Sequence, residues 1–152
     1  MKKLLLLSFL ALGLVLPAFA QTSKTLVNVD DSGVAIQGYD PVAFFTDHKP
    51  VKGAADLQST YHGGTYWFAS SEHKALFDAN PGKYEPSFGG YCAYGVSRSK
   101  LVDIDVNAFQ IVDGRLLMQY SKSIRDDFAA DAKNRLAKAD ANWPGLVAKK
   151  GK

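Results

Sequence analysis

The sequence predicts a small α+β domain, and three observations predict it. Two hairpin signals stand out: Gly63-Gly64 between Asp56–Tyr61 and Thr65–Phe68, and Asp113-Gly114 between Ala108–Val112 and Arg115–Tyr120. Near the C-terminal end, Ile124, Phe128, Ala132, Leu136 and Ala139 recur at helical spacing. Strand and helix signals do not alternate as the βαβ units of a parallel sheet would require. At 152 residues the chain fits one domain with a modest core.

The first twenty residues stand apart from that domain. Met1-Lys2-Lys3 is a basic n-region, Leu4 to Leu16 is an apolar h-region, and Pro17-Ala18-Phe19-Ala20 supplies an A-x-A cleavage pattern. This is the pattern of a secretory signal peptide cut between Ala20 and Gln21. Its apolar run is short for a transmembrane span, and no second apolar stretch follows. The expected product is residues 21–152, exported to a periplasm and without a stable membrane anchor after cleavage.

Two of the 18 lysines and arginines lie in that segment, which leaves 16 against 15 acidic side chains. A nucleic-acid footprint needs a clustered basic face. The one cluster is Lys149-Lys150-Gly151-Lys152, read here as a solvated, frayed tail, so nucleic acid is not an expected partner.

In chain order, Thr25 to Val29 reads as a strand, Asp30 to Gly33 as a turn, and Val34 to Ile36 as a second short run. Gly38-Tyr39-Asp40-Pro41 breaks the pattern, and Pro41 suits the first turn of a helix through Phe45. Asp47 to Gly53 is a polar loop carrying His48. After the first hairpin, Ser70 or Ser71 caps a helix to Ala79, with Glu72 in its first turn. Asn80-Pro81-Gly82 ends it. A polar stretch, Ser97 to Lys100, leads to the second hairpin. Ser121 or Ser123 then caps the last helix, which Trp143-Pro144-Gly145 closes.

The single cysteine carries chemical information. An intramolecular disulfide is impossible, so Cys92 is a free thiol, a ligand or an intermolecular partner. Its flanks, Gly89-Gly90-Tyr91 and Ala93-Tyr94-Gly95, permit close backbone approach.

Five blocks carry a family resemblance: Gly38 to Ala43, Tyr66 to Ser70, Pro81 with Tyr84, Gly89 to Gly95, and Ala139 to Pro144. Together they resemble exported bacterial proteins of the YHS-domain family, with a C-terminal helical extension. The resemblance implies a metal link, because related modules in copper-transporting ATPases carry a Phe-Cys-Ser-x-x-Cys pattern. Here the corresponding residues are Phe68-Ala69-Ser70-Ser71-Glu72-His73, with Ala69 and His73 at the two cysteine positions. Alanine cannot ligate, so a two-thiolate site is absent.

The remaining soft donors make Cys92 and His73 the expected metal pair, with His62 a further candidate and His48 a weaker one. Thiolate and imidazole suit copper or zinc. His73 lies near the start of a predicted helix and His62 beside a hairpin turn. Tyr39, Asp40 and Tyr91 are the expected cofactor-contacting residues, although Asp40 before Pro41 also serves as a turn device.

The leading expectation is an exported transition-metal-binding module, copper ahead of zinc, for handling or sensing rather than catalysis. Its expected partners are a metal ion or small ligand and a periplasmic protein. Two alternatives remain open. One is a thiol-dependent enzyme or redox protein using Cys92, with His73 or His62 as base. The other is a non-catalytic module that binds a ligand or protein through aromatic residues.

Overall fold

The computed structural model describes residues 23–152, so the expected signal peptide lies outside the described residues. The elements run α1 (Ala43–Thr46), β1 (Ala54–Tyr61), β2 (Gly64–Phe68), α2 (Ser71–Ala79), α3 (Pro81–Tyr84), α4 (Ala93–Ser97), β3 (Asp105–Val112), β4 (Arg115–Gln119), α5 (Lys122–Ala129) and α6 (Ala132–Lys150). This is a mixed α+β fold built on two antiparallel hairpins, β1–β2 and β3–β4.

The second hairpin turns at Asp113-Gly114, both left-handed (φ 51° and 74°), with Val112 paired to Arg115. That is the backbone a two-residue type I′ turn requires. The first hairpin turns one residue earlier than the glycine pair suggests. His62 and Gly63 take the left-handed positions (φ 49° and 87°), and Tyr61 pairs with Gly64. Gly64 is needed in the strand instead, because a Cβ there would stand 2.8 Å from a Val27 methyl group.

Each inner strand receives one bridge from outside its hairpin. Val34 bridges β2 at Thr65, and Cys92 bridges β4 at Met118. The alternation of β4 then divides the interior. Leu116 and Met118 join Tyr66, Phe68, Phe77 and Phe44 in one buried cluster. Leu117 faces the other way, toward Phe88, Val96, Phe128 and Leu136. Each such side chain contributes about 1.5–3 kcal/mol by leaving water.

Both anticipated serine caps form. Ser70 Oγ accepts from His73 N at 3.1 Å, and Ser121 Oγ accepts from Ile124 N at 3.2 Å. Other expectations need correction. Thr25 to Val29 pairs with no strand, and only Val29 bridges Ala35. The single last helix is two helices, broken where Asp131 leaves helical backbone (φ −146°, ψ 48°). The second of them continues through Pro144 to Lys150.

Proline removes one helical hydrogen bond, but packing outweighs that loss. Trp143 stacks edge-on against Phe88, and Asn142 Nδ2 donates to the Val96 and Ser97 carbonyls. The basic tail is also tied down rather than frayed, since Thr25 and Lys152 exchange backbone hydrogen bonds at 3.0 and 2.9 Å.

Candidate functional site

The site begins with a strained turn. Ile36, Gln37 and Gly38 are all left-handed (φ 41°, 55° and 74°). For a β-branched residue such as Ile36 this backbone costs on the order of 1–2 kcal/mol. Gly38 is obligatory on two counts, its positive φ and the Trp67 ring only 2.8 Å from where a Cβ would stand. The turn carries the chain inward and delivers Asp40 to a fully buried position.

The Asp40 carboxylate accepts four hydrogen bonds. Oδ1 takes Val42 N at 2.8 Å and Ala43 N at 3.3 Å, which caps the turn into α1. Oδ2 takes Ala69 N at 2.8 Å and His73 Nδ1 at 2.7 Å. A buried carboxylate is tolerated when its lone pairs are met in this way. Asp40 therefore joins α1, the end of β2 and the first turn of α2 at one point.

That geometry sets the His73 tautomer. Because Asp40 Oδ2 is an acceptor, the neutral ring carries its hydrogen on Nδ1 and its lone pair on Nε2. Nε2 lies 3.4 Å from Thr46 Oγ1, which is itself 2.8 Å from Asp47 Oδ1 and 3.2 Å from Val42 O. Thr46 has one hydroxyl hydrogen, and the nearby carboxylate takes it. The Nε2 lone pair is thus left without a good donor, on a side chain that is 16% exposed.

Cys92 has a different setting. A second left-handed run, Phe88, Gly89 and Gly90 (φ 56°, 58° and 78°), leads into it. Cys92 Sγ donates to Gln119 Oε1 at 3.3 Å, and Tyr94 N donates to the same oxygen at 3.1 Å. Cys92 is 1% exposed and Gln119 fully buried, with Gln119 Nε2 left without a partner. Cys92 and His73 make no hydrogen bond to each other: Gln119 engages the thiol and Asp40 the imidazole.

The other predicted residues scatter. His62 Nδ1 lies 3.0 Å from Glu85 Oε2 on the far side of the first hairpin turn. Burial raises the Glu85 pKa, and the hydrogen bond to His62 opposes that rise. Tyr39 sits beside Asp40, but its ring lies 4.7 Å from Lys52 Nζ. Tyr91 packs on the second cluster, where burial, and then Asp103, raise its phenol pKa. Among the described residues no three His, Cys, Asp or Glu side chains gather to hold a metal ion.

Sequence reasoning missed Thr46, Asp47 and Gln119. Thr46 follows Val42 by four residues on a one-turn helix, so only the fold places it against α2. Gln119 looks like an ordinary polar strand residue. Its burial follows from the Cys92 bridge to β4, which no local pattern announces.

Together these features define a small α+β domain presenting one carboxylate-oriented imidazole from the junction of two short helices. Residues 42–87 match the family model of the YHS domain, a domain family linked to metal binding. Asp40 lies just before the matched segment, and Cys92 and Gln119 lie beyond it. No curated protein and no solved structure matches the chain.

Proposed function

We propose that this chain is an exported, periplasmic module that binds a transition metal through His73, for handling or sensing rather than catalysis. The observation that carries the reading is the Nε2 lone pair of His73, oriented by Asp40 and, among the described residues, met only by the long 3.4 Å contact to Thr46 Oγ1. A carboxylate behind a ligating histidine sets its tautomer and raises its basicity. In thiolate-bearing relatives the two ligands come from the positions held here by Ala69 and His73. Asp40 touches both, bonding the Ala69 amide and the His73 ring.

The donor set favours copper over zinc. Imidazole with oxygen donors binds divalent copper more strongly than zinc in the usual stability order. Asp47, reached through Thr46, is an additional carboxylate beside it. So few protein donors leave coordination positions for water or for a periplasmic partner's donor, which suits release more than storage. The metal would supply Lewis-acid or redox capacity, while Asp40 and His73 orient and hold it.

Cys92 is not assigned as a ligand in this reading, and its sealed position gives the thiol-enzyme alternative little support. The test is metal stoichiometry and affinity of the purified protein for copper and zinc. One copper per chain is expected, retained in Cys92→Ala and lost in His73→Ala. Copper that leaves with Cys92→Ala and stays with His73→Ala would overturn the assignment.

A further inference from the structure

The two ends of the described chain enclose a cleft away from Asp40 and His73. Thr25 pairs with Lys152, and Asn28 N donates to Gly89 O at 2.8 Å. The N-terminal segment is thus clamped between the end of α6 and the second left-handed turn. A Cβ at Gly89 would collide with the Leu26 carbonyl, so glycine permits this close approach.

Against this segment opens a cavity of about 700 Å³, within the range of small-molecule sites. Leu26, Val27, Pro86, Trp143 and Val147 give it apolar walls, and Lys24, Glu85, Ser87 and Arg115 supply polar groups. A smaller adjoining cavity of about 430 Å³ shares Thr25, Leu26 and Val27 and is lined by Lys150 and Lys152.

The polar groups with spare capacity are mainly cationic donors. Arg115 gives Nε–H to Ser87 Oγ and one hydrogen from each terminal nitrogen to Asp140. Two of its five N–H groups remain, and the guanidinium is braced 5.1 Å from the Phe88 ring centre. Among the described residues Lys24 Nζ donates to the Ala148 carbonyl alone, at 3.2 Å. Among the described residues Lys24, Lys150 and Lys152 form no salt bridge. Glu85 is held by His62, and burial favours its neutral form.

From this arrangement we infer that the cleft binds an amphipathic organic anion. A carboxylate or sulfonate headgroup would meet Lys24 and Arg115, and an aliphatic or aromatic body would lie against Trp143 and Val147. The cleft joins the YHS segment to residues on both sides of it, which gives the C-terminal extension a role of its own.

The test uses 1-anilinonaphthalene-8-sulfonate as probe and decanoate as competitor, with a chelator present. One saturable site is expected, and the Trp143 indole N–H should shift in NMR while that of Trp67 does not. Lys24→Ala should weaken decanoate about two- to fivefold, the size of one exposed charge pair. Ala148→Trp, an exposed position at the cleft, should block binding without disturbing the core. His73→Ala should leave it unchanged, which separates this site from the metal reading. Absence of saturable binding, decanol binding as tightly as decanoate, or full binding in Ala148→Trp would each overturn the inference.

Discussion

Two regions of this molecule use the same backbone device to opposite ends. Ile36–Gly38 and Phe88–Gly90 are both runs of three left-handed residues, and both lie next to a bridge onto the inner strand of a hairpin. The first delivers Asp40, which meets four donors and holds His73 with one nitrogen uncommitted. The second delivers Cys92, whose sulfur is closed into the core against Gln119. Strain alone therefore does not distinguish a functional turn from a structural one. What distinguishes them is whether the delivered side chain orients a partner that keeps an uncommitted lone pair, as Asp40 does for His73.

The largest expected effect comes from removing the carboxylate that anchors the first region. Asp40→Ala leaves three backbone N–H groups and the His73 ring without their acceptor. It should cost about 3–5 kcal/mol in chemical denaturation. A loss under 1 kcal/mol would mean that Asp40 is not the junction described here. Asp40→Asn sharpens the same point while retaining much of the fold. Its amide donates to Nδ1, moving the ring hydrogen to Nε2, and metal affinity should fall about 10- to 100-fold.

A smaller effect is expected in the second region. Cys92→Ala removes a buried sulfur and its bond to Gln119. It should lower stability by about 1–2 kcal/mol, as a small core truncation does, with metal affinity unchanged. A large affinity loss would erase the contrast between the two turns.

The smallest effect concerns Glu85, just before the second turn. Its folded pKa is raised above 4.5, chiefly by burial. The stability this group contributes is therefore present below pH 4.5 and lost as pH rises through the folded value. Glu85→Gln should match the wild type in acid and become relatively more stable as the pH rises, read from melting temperatures across that window. The opposite slope would show the His62 interaction outweighing burial.

Much of the fold was legible where local chemistry decides it. Asp113-Gly114 specifies its turn, Ser70 and Ser121 cap their helices, and the Ile124 to Ala139 spacing marks the helical end. Where tertiary packing decides, the sequence misled. Gly64 lies in the strand because Val27 crowds it, leaving His62 to take the turn. Pro144 fails to stop α6 because Trp143 and Asn142 hold the helix down. The site was half legible. Asp40 and His73 were both singled out, but Cys92 was paired with His73 because rarity and glycine-rich flanks do not reveal burial. Gln119, the residue that occupies the thiol, reads locally as an ordinary strand residue.

The most direct test of the central claim is ¹⁵N NMR of the His73 imidazole during a zinc titration, in the wild type and in Cys92→Ala. The expected result is an Nδ1–H tautomer before metal and a zinc-induced shift centred on Nε2, the same in both proteins. An Nε2–H tautomer, or a zinc response that disappears with Cys92, would contradict it.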